Sequence, residues 1–194
     1  MTTLKIISII FICAFLINST CPSKTEKINP VNKTNPDTTY GTSTEKLKSN
    51  KIPDSVFKMV TLRHLSISGM DCDYGDKITC WEISEIPPQI KNLQNLITLS
   101  LTVNNISAIP IELTELKKLT LIDLTDNLGI DNIDILTKMQ SLQHLSLYGC
   151  RLRKLPDNIG NLKNLKYLGL TGNNINKAEQ ERIKNALPNC MIKF

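Results

Sequence analysis

Most of this chain is governed by a period of 23 residues, set by Leu96, Leu119, Leu142 and Leu165. The neighbouring columns keep the same step: Leu99, Ile122, Leu145 and Leu168, then Leu101, Leu124, Leu147 and Leu170, then Asn104, Asn127, Cys150 and Asn173. Within one copy, Leu155 to Ile175, the steps of three and four up to Leu165 suit the inner side of a helical or irregular arm. The step of two from Leu168 to Leu170 suits the inward side chains of a short strand. A single copy offers about seven aliphatic side chains, worth ~1.5–3 kcal/mol each when buried, against ~1–2 kcal/mol per residue to order its backbone. One copy therefore cannot fold alone. Stacked copies place their strands ~4.8 Å apart and share a continuous core, which is a solenoid. Asparagine suits the turn after the strand because its amide both donates to and accepts from backbone groups that a tight coil leaves unpaired. Cys150 is the compact alternative at that position.

The four units LITLSLTVN, LTLIDLTDN, LQHLSLYGC and LKYLGLTGN resemble the LxxLxLxxN/C signature of the leucine-rich repeat family. The resemblance implies an α/β solenoid, a curved horseshoe with one parallel sheet of about five strands and short helical or irregular arms. It also implies a non-catalytic binding module. In that family the partner is usually a protein and sometimes a glycan, and it usually meets the concave face of the sheet.

Stepping the period backwards divides the chain. Ile109-Pro110 opens one arm and Ile86-Pro87 the arm before it; Ile52-Pro53 with Val56 begins an incomplete leading unit. Leu62 to Leu96 exceeds the period by eleven residues, so an insertion enters near 70–80. The third arm, GIDNIDILTKM, has Gly129 where Ile or Leu is usual and is expected to shift locally. A repeat domain over 47–194 ends in a cap over 174–194. There Asn176 and Glu179 suit a reciprocally capped helix start, Pro188 ends the helix, and CMIKF suits an edge strand. Short bacterial relatives resemble this ending, which implies a chain closing at Phe194.

The start differs in kind. Residues 1–21 carry Lys5, an apolar run from Ile6 to Ile17, then small polar residues and Cys21. That run is too short for the ~20 residues a membrane span needs, and it reads as a secretory signal. Cys21 resembles the lipid-modified cysteine of bacterial lipoproteins; ordinary cleavage nearby is the other reading. The exported protein would then sit at the cell envelope or be secreted, touching membrane only through that anchor. Residues 22–46, rich in Thr, Asn, Lys and Pro, read as a disordered tether. The alternative is an extra capping strand near Thr38 to Leu47.

Export to an oxidising compartment makes a disulfide between Cys72 and Cys80, within the insertion, the expected pairing. A metal site would need two further ligands nearby, and His64 and His144 lie in distant repeats. No metal and no cofactor is expected. His64 and His144, three strand spacings or ~14 Å apart, cannot act on one atom, and no nucleophile stands in an elbow motif. Asp123 and His144 read as solvated polar positions on the sheet; a surface pair between them is the alternative. The net charge of +5 comes from lysines interleaved with acids, and with aromatic residues at 5% no stacking platform for nucleic acid is available. The expected partner is a protein, met by the outward columns of the sheet: His64, Thr98, Leu121, Asp123, His144, Tyr148 and Tyr167. Carbohydrate or peptidoglycan binding is the alternative, with Tyr148 and Tyr167 as the sugar-facing rings.

Overall fold

The computed structural model describes residues 38–69 and 81–194, all within the compact unit formed by residues 35–194. The signal, Cys21, the tether as far as residue 37 and the Cys72–Cys80 insertion lie outside the described residues.

Seven strands form one parallel sheet in chain order. They are β1 (Thr38–Ser43), β2 (Leu62–Ser68), β3 (Thr98–Ser100), β4 (Leu121–Asp123), β5 (His144–Ser146), β6 (Tyr167–Gly169) and β7 (Met191–Lys193). The register reproduces the period: Leu99 pairs with Ile122, Ile122 with Leu145 and Leu145 with Leu168. All four side chains are fully buried. The arms are short 3₁₀ helices, at Val56–Lys58, Pro88–Asn92, Ile111–Glu115, Ile133–Lys138 and Ile159–Asn161. Each spans only three to six residues, and the tighter 3₁₀ turn aims side chains such as Ile90, Leu113 and Leu136 into the core.

The asparagine column joins neighbouring coils. Asn104 Nδ2 donates to Ile67 O (3.0 Å) and its Oδ1 accepts from Ile83 N (2.8 Å). Asn173 Nδ2 likewise donates to Leu147 O (2.7 Å) and its Oδ1 accepts from Leu152 N (2.8 Å). Both are bonds to backbone groups that the coil turns away from the sheet ladder.

The two end strands raise the count above the five expected. At the carboxyl end, α2 (Lys177–Ala186) follows Asn176, whose Oδ1 accepts from Glu179 N at 2.9 Å. The expected reciprocal box is only half made, because the Glu179 carboxylate is used elsewhere. It accepts from Leu155 N (2.9 Å) and from Arg182, while Arg182 Nη2 donates to Leu155 O (2.8 Å). Two side chains thus take the place that another coil's backbone would fill. At the amino end the tether expected to reach residue 46 is overturned for its last part. Thr38–Ser43 pairs in parallel with β2 and runs into the four-residue helix α1 (Thr44–Leu47). The β-branched threonines suit an extended chain, the exposed edge of β2 supplies backbone partners, and Tyr40 packs against the core.

Candidate binding face of the sheet

Because side chains alternate across a strand, core-facing Leu99, Ile122, Leu145 and Leu168 force their neighbours to the opposite face. Pairing then lays these neighbours out in rows. One runs His64, Thr98, Leu121, His144, Tyr167, Met191, and the next runs Ser66, Ser100, Asp123, Ser146, Gly169, Lys193. Met191 and Lys193 were not among the outward residues expected from sequence. The signal was present, since Ile192 pairs with Leu168 and so fixes Met191 and Lys193 as outward. Met191 is 57% exposed beside Tyr167.

The rows are uneven. His144 and Tyr167, half-buried, stack with ring centroids 6.5 Å apart and planes at 28°. Tyr167 folds back along its own strand: a Cβ at Gly169 would stand 3.3 Å from Tyr167 Cε1, Tyr167 Oη and Ser146 Oγ. Glycine at 169 is what lets the ring lie there. Leu121, beside His144, is almost covered. Tyr148 leans towards the next turn, where a Cβ at Gly172 would meet its Cζ at 3.6 Å. His64 stands three strands from His144, with Thr98 and Leu121 between. The structure therefore gathers Leu121, Asp123, His144 and Tyr167 and leaves His64 and Thr98 outside that group.

Asp123 is neither a solvated position on the sheet, as the sequence suggests, nor a surface partner of His144. It is 5% exposed, and Oδ1 accepts from Thr125 N at 3.0 Å and from Thr125 Oγ1 at 2.6 Å. Thr125 Oγ1 also lies 2.9 Å from Ser146 Oγ, closing a hydroxyl chain across two strands. Burial raises the Asp123 carboxyl above its ordinary range, against the opposing pull of the Thr125 hydrogen bonds. The Tyr167 phenol is raised by burial and then by the nearby Asp123 charge. Burial, with Lys166 close by, lowers His144, which is neutral at physiological pH. At that pH the patch presents a neutral imidazole, a phenol, hydroxyls and an exposed thioether over the sunken Asp123 side chain. These are groups suited to contact and hydrogen bonding. Among the described residues no three His, Cys, Asp or Glu side chains group as a metal would require, and no helix is long and apolar enough to cross a membrane.

Comparison with known proteins agrees with this geometry. Residues 43–194 match the sequence profile described as a leucine-rich repeat region. The volume-regulated anion channel subunit LRRC8B of Homo sapiens is 33% identical over 136 residues, covering 67% of this chain and 16% of that protein. The chain thus spans about a sixth of the length of the curated relative it matches. A leucine-rich repeat protein of Leptospira interrogans superposes with a TM-score of 0.63 at 32% identity, over 74% of this chain and 34% of that one. An internalin from Listeria monocytogenes shares the fold at a TM-score of 0.55 and 20% identity, over 73% of this chain and 37% of that one. Solenoids of this class are typically non-catalytic scaffolds for protein–protein contact. The protein belongs to the leucine-rich repeat family.

Proposed function

We propose that this chain is an exported protein-binding module that takes its partner on the outward face of the sheet, at the strands β4 to β7. The observation that carries this reading is the His144–Tyr167 stack, set beside exposed Met191 on a sheet whose other outward side chains are mostly Ser and Thr. Tyrosine held on a rigid strand loses little entropy on contact, and buried interface tyrosines often contribute ~2 kcal/mol or more. The stacked imidazole partly occupies one face of Tyr167, which favours side-on protein contact over flat stacking against a sugar. Export rests on the first twenty-one residues of the sequence, with Cys21 as lipid anchor or cleavage neighbour. If Cys21 is lipidated, Cys21→Ser moves the protein from the membrane fraction to the soluble one.

The test is crosslinking capture of the partner from the native envelope, followed by affinity measurement on variants. Tyr148→Ala with Tyr167→Ala should weaken binding at least about tenfold, equivalent to ~1.4 kcal/mol, with the circular dichroism melt retained. Lys117→Ala and Lys163→Ala, away from this face, should change it little. The reverse pattern would move the protein contact off the sheet.

A further inference from the structure

A second surface of different chemistry lies where the chain leads into each strand. The segments 58–63, 92–97, 115–120, 138–143 and 161–166 hold seven lysines and arginines against one carboxylate, Glu115. Stacking of the repeats brings these segments into line along one rim of the sheet. Lys154, Arg182 and Lys184, which pair with Asp157, Glu179 and Glu181, lie outside these segments. Two of the rim lysines are held by neutral groups: Lys118 Nζ donates to Asn95 Oδ1 at 2.7 Å and Lys117 Nζ to Thr114 O at 2.7 Å. Such bonds fix the ammonium groups without cancelling their charge.

Two open hollows lie on this rim. One, about 510 Å³, has Lys163 and Lys166 beside Asn164, Gln143, Ser141 and Thr120; the other, about 400 Å³, has Arg63 and Lys118 beside Asn95 and Thr61. Neither lining contains a carboxylate or an aromatic ring. The first is centred on the start of β5 and the second on the start of β3, two strand spacings or ~10 Å apart. The first combines two lysines with amides and hydroxyls, and the second sets Lys118 beside the Asn95 amide. That set pairs with an anionic group and at the same time hydrogen-bonds neighbouring hydroxyls.

We propose that this rim binds an acidic polysaccharide, with Lys118, Lys163 and Lys166 facing its carboxylates or sulfates and Asn95, Asn164 and Gln143 its hydroxyls. An extended chain with anions at regular intervals suits two hollows in line. A single-stranded nucleic acid would call for aromatic platforms, which the hollows lack, and an anionic bilayer presents a plane of headgroups, whereas the two hollows lie in one line. Exposed charge pairs are individually weak and screened by salt, so binding depends on several lysines together and falls as ionic strength rises. This site is independent of the sheet-face reading, since the tyrosines take no part in it.

The experiment uses the full chain and a size-defined heparin oligosaccharide, with affinity measured at several salt concentrations. Lys118→Gln, Lys163→Gln and Lys166→Gln combined should weaken binding at least tenfold. The charge-matched control Lys51→Gln, Arg153→Gln and Lys177→Gln, exposed positions away from the rim, should stay within twofold of the parent. Equal loss in both triples would reduce the effect to net charge and overturn the proposal. So would absence of binding at low salt, or equally tight binding of single-stranded DNA or phosphatidylserine vesicles. Loss of protein-partner binding in the tyrosine variant would leave this result unchanged, which separates the two readings.

Discussion

The second and third repeats differ at one side chain in the same turn, and the coil beside it differs accordingly. Asn127 Nδ2 donates to Leu101 O (2.8 Å) and Leu124 O (2.9 Å), and its Oδ1 accepts from Ile106 N (3.0 Å). Cys150 donates from Sγ to Leu124 O at 3.2 Å but has no amide oxygen for Gly129, which occupies the position of Ile106 one repeat later. Gly129 is exposed, buried Ile130 takes its place, and Ile133 likewise falls one residue beyond the position of Ile109. Register returns at Leu136, 23 residues from both Leu113 and Ile159. Between them Asn132 turns left-handed, with φ 47°, and its amide bonds Ile109 N (2.9 Å) and Ile109 O (3.0 Å). A coil can therefore lose one polar rung if it advances a residue and a second side chain clamps it to its neighbour.

The largest test removes the stronger rung. Asn127→Ala leaves Leu101 O and Ile106 N, two buried backbone groups, without their partner, at ~1–3 kcal/mol each, while Leu124 O keeps Cys150, so a loss of about 3 kcal/mol is expected. Cys150→Ala, which leaves Leu124 O still bonded by Asn127, should cost about 1 kcal/mol. Urea midpoints at constant m report both, and equal losses would break the comparison.

Next in size is the clamp. Asn132→Ala gives up two hydrogen bonds and puts alanine in a left-handed conformation, an expected loss of about 2–3 kcal/mol. Asn132→Gly, free of the conformational penalty, should lose less. If both variants melt with the parent, something other than Asn132 holds the displaced arm.

A smaller effect separates the two rungs by pH. Burial pushes the Cys150 thiol from 9.0 up to about 11. A pKa raised on folding contributes stability that is complete below the unfolded value and is lost as pH rises through the folded one. The parent should therefore lose stability between about pH 9 and 11, and Cys150→Asn should flatten that decline. Cys190, also raised to about 11 by burial, is common to both proteins and cancels. An unchanged slope would mean that Cys150 is ionised or exposed in the folded chain.

The smallest effect concerns the cap, where Glu179 and Arg182 do for Leu155 what Asn132 does for Ile109. Hydrogen bonding from Arg182 is the main cause holding Glu179 below its usual range. A pKa lowered on folding contributes stability present above the unfolded value and lost as pH falls through the folded one. Glu179→Gln keeps an acceptor for Leu155 N, so the neutral-pH loss should stay under about 1 kcal/mol. Its acid melt should be less pH-dependent than the parent's, and parallel acid curves would remove the carboxylate from the account.

The outward columns were legible in the sequence because strand alternation needs only one inward residue to be recognised, and Leu99, Ile122, Leu145 and Leu168 identify themselves by their period. The same reasoning extends to Met191 once Ile192 is seen to continue that column. Strand β1 was far less legible. TTYGTS has one large apolar residue and no repeat to align it, and it becomes a strand through the open edge of β2. The fate of Asp123 was hidden for a related reason: its column is outward, but its burial depends on Thr125 and on ring and hydroxyl groups of adjacent strands.

What the sequence determined alone was the repeat: which side chains face inward, where the rungs fall, and hence a solenoid whose units cannot stand singly. Each of these follows from spacing within one copy, which local geometry converts directly into direction. The tertiary structure decided how the copies treat one another. It recruited β1, sank Asp123, laid Tyr167 over Gly169 against His144, and aligned lysines of separate repeats beside two hollows. Each of those outcomes needs at least one neighbour 21 or more residues away, whose contacts exist only after the strands have been brought within ~4.8 Å of each other.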